Sequence, residues 1–334
     1  MLTDKDKAEQ VSPSTTHSGK RIAPIVIRAI RAYFQDSTER PPLVIILGPT
    51  AVGKTALAVD IGKQLDAEII SADSRQFYRY MDIGTAKPTA AEQAQVPHQL
   101  IDIADPDETV GLATFLRLAR QAGDAITARG KFPFVVGGTG QYLRAFVQGW
   151  QVPEVPPDPD LRSALEQQAP DTLWVQLLQH DPAAADFIHP NNTRRIIRAL
   201  EVCLKTGQPF SEQRGRIPPR YNILQLGLTM ERTALYARAD ARVDAMIAAG
   251  LRDEVASLLT MGYGWELPAM SGLGYLQFRP YFEEQASLEE VSERIKLDTH
   301  DFIRRQYTWF RRKDPMIHWI DVSQPPLKLS LEIP

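Results

Sequence analysis

The chain has 334 residues, 43% of them hydrophobic and 24% charged, with a formal net charge of −3. That composition fits a globular protein of roughly two domains, or one core carrying a large insertion. A single cysteine, Cys203, excludes a disulfide framework and a Cys-based zinc finger, and no apolar run reaches the roughly 18 residues that a membrane-spanning helix needs.

Residues 1–19 are polar and are expected to be disordered. Residues 20–34 hold four basic and no acidic side chains, with Ile22, Ile25, Ile27, Ile30 and Phe34 as the apolar positions, so a short amphipathic helix is expected. Asp4, Asp6 and Glu9 argue against a transit peptide, and there is no secretory apolar core. Residues 1–40 therefore read as a non-catalytic, partly disordered extension.

The apolar run 43–47 follows, and directly after it stands Gly48-Pro49-Thr50-Ala51-Val52-Gly53-Lys54-Thr55. This fits the phosphate-binding pattern G-x-x-x-x-G-K-[ST] in full, and a helical pattern with Leu57, Val59, Ile61 and Leu65 comes next. Strand, glycine-rich turn and helix are the context that such a loop requires. Loop N–H groups and the helix N-terminus face an anion there, Lys54 supplies a cation, and the Thr55 hydroxyl is a candidate ligand for Mg²⁺. The motif fixes what is gripped, a di- or triphosphate, and leaves the reaction open.

Further short apolar runs at 68–71, 99–103, 134–136, 224–228 and 317–320 alternate with helical stretches, which predicts an α/β fold with a mainly parallel sheet. The run 68–71 leads into Asp73-Ser74-Arg75-Gln76. In a parallel sheet the carboxyl ends of the strands share one rim, so Asp73 lies beside the phosphate loop. Its carboxylate suits a base, a metal ligand, an anchor or a helix N-cap. The segment Met81-Asp82-Ile83-Gly84-Thr85-Ala86-Lys87-Pro88 reads as a solvated surface loop. Val136-Gly137-Gly138-Thr139-Gly140 is a second glycine turn after a strand, where Gly137 and Gly138 permit close approach to a ligand. His98 has no partner at metal-ligand spacing.

Between residues 136 and 224 no strand is expected. A proline-rich segment, 152–159, opens a run of helices at 161–168, 172–178, 183–187 and 193–206. This predicts a helical insertion over 151–222, with a phosphate-binding α/β core built from 41–150 and 223–322. Long helices are expected at 231–249, 252–261 and 287–312. Two stretches are basic: 191–220 holds seven Lys/Arg against two Asp/Glu, and 294–313 holds the same numbers. The second is interleaved with Phe302, Tyr307, Trp309 and Phe310, a combination that suits nucleic acid through phosphate pairing and base stacking. The bland reading is a solvated basic face over a helix whose aromatic residues are core.

Taken together, Gly48–Thr55, Asp73-Ser74-Arg75-Gln76, Met81 to Pro88, His98 to Asp102, Gly137 to Tyr142, Arg195 to Val202, Gly274-Tyr275 and Arg305 to Arg311 resemble the bacterial tRNA dimethylallyltransferases, also called tRNA isopentenyltransferases or IPP transferases. The resemblance implies transfer of a dimethylallyl group from dimethylallyl diphosphate to N6 of adenosine(37), with release of diphosphate, Mg²⁺ as cofactor and binding of a tRNA anticodon stem-loop. A monomer is expected because tRNA binding requires no symmetry, and a cytoplasmic protein with no membrane partner is expected from the lone cysteine and the short apolar runs. The resemblance implies Asp73 as the group that takes the amine proton, and Thr50, Lys54 and Arg242 around the diphosphate, with Arg238 as the nearby second choice. It also implies tRNA contacts at Asp73, Ser74, Arg75, Gln76, Thr139, Arg162, Arg194, Arg195, Ile196, Ile197, Arg198, Met270, Gly274, Tyr275, Arg304, Arg305 and Gln306. Leu276, His300 and Asp301 depart from the family pattern, which has basic or other polar residues there. Three other readings are a small-molecule kinase, an adenylate isopentenyltransferase acting on free nucleotide, and a non-enzymatic RNA-binding protein. The first two give no purpose to the insertion and the basic segments, and the third gives none to the phosphate loop.

Overall fold

The computed structural model describes residues 15–35 and 39–323. Most of the stretch expected to be disordered, residues 1–14, lies outside them. In chain order the elements are α1 (Thr15–Phe34), β1 (Pro42–Leu47), α2 (Lys54–Leu65), β2 (Ala67–Ser71), α3 (Ala90–Gln95), β3 (His98–Gln99), α4 (Leu112–Ala128), β4 (Phe132–Gly137) and α5 (Gly140–Val147). Then come β5 (Trp150–Gln151), α6 (Pro159–Glu166), α7 (Pro170–His180), α8 (Thr193–Thr206), β6 (Gly215–Arg216), β7 (Asn222–Thr229), α9 (Arg232–Ala248), α10 (Leu251–Thr260), α11 (Arg279–Phe282), α12 (Leu288–Trp309) and β8 (Ile317–Asp321). Short 3₁₀ turns stand at Pro182–Asp186 and Leu276–Phe278.

Six strands form one sheet in the order β3-β2-β4-β1-β7-β8, and every neighbouring pair is parallel. The α/β fold with a parallel sheet expected from the alternation is thus observed. β1 and β4 are fully buried beyond their first residue because both faces of a parallel sheet are covered by helices. The register sets Leu47 beside Gly137 and Gly227, so the turns after β1 and β4 leave the sheet at the same level. The strand expected at 99–103 is only two residues long. Leu100 and Asp102 take positive φ (62° and 54°), which turns the chain out of extended geometry at once.

The chain divides into two compact units. The first draws on Met1–Glu108, Gln121–Leu143 and Arg220–Pro334, and the second on Thr109–Arg120 and Arg144–Pro219. The insertion limits of 151–222 read from the sequence differ from these because the boundaries fall inside α4 and α5. Each is one unbroken helix, so no change of composition marks the place. In the first unit α1 is an integral part of the core. Its Ile22, Val26, Ile27 and Ile30 are buried in one cluster with Ala58 and Ile61 of α2 and Val44 and Ile46 of β1. In the second unit α6, α7 and α8 pack around Leu165, Leu173, Leu177, Ile196 and Leu200, and β5 pairs antiparallel with β6. That two-residue pair has no periodicity from which it could be read.

Candidate active site

The phosphate loop leaves β1 through Gly48, whose φ of 147° and contact with the Leu228 carbonyl (2.6 Å from a built Cβ) exclude a side chain. Gly53 (φ 102°) starts α2 without a side-chain cap, so the first helical N–H groups stay directed outward, free to meet an anion. The guanidinium of Arg238 lies against Gly53, 3.3 Å from where a Cβ would stand. Lys54 folds back to donate to the Pro49 carbonyl at 2.7 Å. Val52 is buried beneath the loop, and Thr55 is half-buried on the first turn of α2.

Asp73 follows β2 on the same rim. Its Oδ1 accepts the Arg75 N–H at 3.0 Å, closing a side-chain turn, and no helix starts there, so Asp73 is not a helix cap. Among the described residues Oδ2 accepts no hydrogen bond. The turn is tied to the one after β4: Ser74 N–H donates to Thr139 Oγ1 at 3.1 Å, and Thr139 N–H donates to the Ala72 carbonyl at 3.3 Å. Gly137 is required by this junction, since a Cβ would fall 2.2 Å from the Ala72 oxygen. The glycines expected to admit a ligand thus admit, first of all, protein: Ala72 at Gly137 and the Gln306 amide at Gly138.

These turns, α9 and α12 enclose a cleft of about 590 Å³. Its lining combines polar Thr50, Asp73, Thr139 and Arg242 with apolar Val243, Met246, Leu273, Ile295 and Phe302. Burial pushes the Lys54 ammonium down to about 8; the Asp73 charge opposes that shift and the Arg242 charge adds to it. Burial also lowers Arg242, against the nearby Asp73. Among the described residues neither Arg238 nor Arg242 has a carboxylate within ion-pair distance. Two half-buried guanidiniums without such a partner and a destabilised ammonium beside the loop N–H groups make a site that an anion with several charges would stabilise. Lys54 is protonated below its lowered value. Affinity for inorganic diphosphate is therefore expected to hold below pH 8 and to fall as the pH rises through about 8. Calorimetric titration of the full chain against pH checks this, with Lys54→Ala removing the transition.

The other expected contact residues divide clearly. Gly274, Arg75 and Arg305 line the cleft, with Arg305 5.9 Å from the centre of the Phe302 ring. The Arg75 guanidinium is held by the carbonyls of Pro268 and Ala269 (2.6 and 3.3 Å) and by Ser271. Gln76 is buried and bonds Ser71 and the Thr85 and Ala86 carbonyls. The side chains of Met270 and Tyr275, and in the second unit of Ile196, are fully buried and that of Ile197 is 6% exposed, so these four side chains belong to the core. Arg162 and Arg198 are engaged by the buried Glu201, at 2.7 and 2.5 Å. Arg194 and Arg195 remain exposed, and Arg304 pairs with Asp301 on the surface. Gln306 is buried, with its amide between Thr50 and Gly138. Of the departures, His300 stacks on Tyr236 at 4.0 Å and bonds Asp240, which pins α12 to α9.

Sequence reasoning missed Glu254. Its carboxylate accepts the N–H groups of Asp82, Ile83 and Gly84 and the Tyr275 hydroxyl, and so holds the 81–88 segment against the cleft. With Met81 and Thr85 buried and Lys87 bound to Asp82, Asp102 and the Tyr78 carbonyl, that segment is packed structure and not the solvated loop expected. In the second unit, Arg214 lies 4.0 Å over the Phe187 ring, with Arg195 5.9 Å from it.

A parallel sheet with a phosphate loop at its rim, and Asp73 and Arg242 lining one cleft beside that loop, defines a P-loop α/β enzyme that works on a phosphorylated substrate. The sequence profile of the IPP transferase family matches residues 76–313, and that of isopentenyl transferases matches 41–102. The chain is 60% identical over 275 residues to a tRNA dimethylallyltransferase of Roseiflexus sp. (strain RS-1), covering 81% of this chain and 90% of that one. It is 57% identical to a protein of the same description from Chloroflexus aggregans, over 83% of this chain and 95% of that one. Among solved structures it resembles the tRNA isopentenylpyrophosphate transferase of Bacillus halodurans, with a TM-score of 0.63, 42% identity, and 85% and 91% of the two chains covered. It also resembles a eukaryotic dimethylallyltransferase acting on tRNA, with a TM-score of 0.74, 29% identity, and 85% and 74% covered. The chain belongs to the IPP transferase family, the tRNA dimethylallyltransferases.

Proposed function

We propose that this chain transfers the dimethylallyl group of dimethylallyl diphosphate to N6 of adenosine(37) in tRNA, with Asp73 receiving the amine proton and the phosphate loop receiving the leaving diphosphate. The exocyclic amine is a weak nucleophile because its lone pair is delocalised into the ring. As the N6–carbon bond forms and the carbon–oxygen bond breaks, its proton passes to the Asp73 carboxylate, which is general-base catalysis. The electron pair of the breaking bond leaves on diphosphate, where loop N–H groups, Lys54, Thr50 and Arg242 stabilise the growing charge, with Arg238 behind the loop. The observation that carries this reading is one cleft lined by Asp73 and Arg242, both electrostatically coupled to Lys54 of the loop, together with apolar residues suited to a prenyl group.

Mg²⁺ fits the donor set. Among the described residues no cluster of three or more acidic or histidine side chains could hold a metal by itself. An ion carried in by diphosphate and met by the Thr55 hydroxyl suits the preference of Mg²⁺ for phosphate oxygens and water. Bound there, it would neutralise charge on the leaving diphosphate.

For the tRNA, the reading is supported by exposed Arg194 and Arg195 on α8, by Arg214 over Phe187, and by Ser74, Thr139 and Arg305 at the cleft. The chain is expected to act as a cytoplasmic monomer. No helix among the described residues is long and apolar enough to cross a membrane. The profile shared with isopentenyl transferases over 41–102 makes the free-nucleotide reaction the relevant competitor. Incubating the protein with Mg²⁺, labelled dimethylallyl diphosphate and either unmodified tRNA or AMP separates the two. Label is expected in tRNA, and label in AMP alone would overturn the proposal.

A further inference from the structure

We propose that Gln306 is a positioning residue of the reaction, a latch that ties the diphosphate loop to the turn carrying the acceptor-side groups. Gln306 is 4% exposed on α12, in line with buried Ile295, Thr299 and Ile303. Its Oε1 accepts the Thr50 N–H at 2.8 Å and its Nε2 donates to the Gly138 carbonyl at 3.0 Å. A backbone N–H can only donate and a carbonyl can only accept, so this site demands one acceptor and one donor at the tip of one side chain. A primary amide meets that demand; an ionised carboxylate or an aliphatic group does not. Gly138 is shaped to the same contact, since a Cβ there would stand 2.4 Å from Gln306 Nε2.

The latch has consequences at both ends. Thr50 lines the cleft with Ala51 beside it, and with its N–H committed to Gln306 the peptide at 49–50 is held in one orientation. Gly138 precedes Thr139, whose hydroxyl takes the Ser74 N–H next to Asp73. An unbroken path of hydrogen bonds and peptide units thus runs from the diphosphate loop through Gln306 to the carboxylate. Donor and acceptor must be held close to reactive geometry, and small misplacements are costly in rate. Both polar ends of the amide are engaged within the protein, so Gln306 acts on the donor side and not as the RNA contact that the family resemblance implies. This inference rests on the site reading under Proposed function.

The test uses the full chain, inorganic diphosphate as probe, and dimethylallyl transfer to tRNA. Wild type is assayed first; if it transfers no label, it is the site reading that fails. With wild type active, Gln306→Leu is expected to weaken diphosphate binding about tenfold or more, since it strands a buried N–H and a buried carbonyl. The KM for dimethylallyl diphosphate should rise, kcat should fall and the KM for tRNA should stay unchanged. Gln306→Glu should bind diphosphate poorly when ionised and recover relative to wild type as the pH is lowered, because a protonated carboxyl again offers one donor and one acceptor. Gly138→Ala, which pushes on the amide from the other side, should have the same signature and be non-additive with Gln306→Leu. If Gln306→Leu does not fold, the pH rescue of Gln306→Glu and the Gly138→Ala signature decide. Unchanged diphosphate affinity with a raised KM for tRNA, or additivity of the two substitutions, would overturn the latch.

Discussion

Asp73→Asn is expected to slow dimethylallyl transfer by about 10²- to 10⁴-fold, the range associated with loss of a general base. Asparagine is the informative replacement because its side-chain oxygen can still take the Arg75 N–H that Oδ1 takes now. The turn after β2 is therefore kept, and with it the Ser74–Thr139 bond that ties this turn to the one after β4. What disappears is the charge and the ability to accept a proton. The rate is to be read in single turnover with saturating tRNA and donor, so that binding does not enter. Diphosphate binding serves as a second readout. Asp73 raises the Lys54 value, so removing it should shift the pH at which diphosphate affinity falls to below the present value of about 8. A rate within about tenfold of wild type, too small a loss for a missing base, with the Lys54 transition displaced, would show that the carboxylate tunes the cations and takes no proton.

The legibility of the chain in sequence follows from how local each interaction is. β1 and β4 announce themselves because strands buried on both faces need largely apolar runs, and β7 is marked by Leu224, Leu226 and Leu228. Gly48 to Thr55 is readable because a phosphate loop is built by consecutive backbone groups, so its whole logic lies within eight positions. Asp73 was readable as to place, since parallel strands bring their carboxyl ends to one rim. Its Asx-turn geometry could not be told from a helix cap, because both use the same residue types just past a strand. The supports of the site were not legible. Glu254 reaches Gly84 across 170 positions, and Gln306 reaches Thr50 across 256. No periodicity or spacing encodes such pairs. Ile196 and Ile197 are a different case: α8 is strongly amphipathic, so its helical periodicity already places them on the face that meets Leu173 and Leu177, with Arg194 and Arg195 exposed.

Glu201→Gln should destabilise the second unit by about 3–5 kcal/mol, the cost of breaking a buried ion pair by removing one partner. The carboxylate is fully buried and accepts four hydrogen bonds from three residues: two from Arg162 (2.8 and 2.7 Å), one from Arg198 (2.5 Å), and the Asp158 N–H at 2.7 Å, shared between its two oxygens.

 Burial pushes the Glu201 carboxyl up, but the bonds from Arg162, Arg198 and the Asp158 N–H outweigh it and hold the group below its ordinary 4.5. The sign for stability follows. A depressed value means that the contribution is present above the unfolded carboxyl's range and is lost as the pH falls through the folded value. The wild-type second unit should therefore lose stability in acid, and Glu201→Gln should flatten that loss; thermal unfolding followed against pH measures both.

The same cluster separates two roles for Arg162 and Arg198, which the family resemblance assigns to tRNA. Replacing Glu201, Arg162 and Arg198 together by apolar residues of similar volume removes the buried charges as well as their partners, and such replacements are often neutral or stabilising by about 1–4 kcal/mol. If the arginines serve packing alone, the triple variant should regain the stability lost in Glu201→Gln and bind tRNA with the wild-type salt dependence. If they also meet phosphates, stability should return while the slope of log affinity against log salt becomes shallower, since each lost phosphate contact releases fewer counterions. The geometry favours the first outcome. Arg162 gives both its Nε and its Nη2 to one carboxylate, and Arg198 divides its guanidinium between Glu201 and the Val155 carbonyl, so these donors are already bound within the protein.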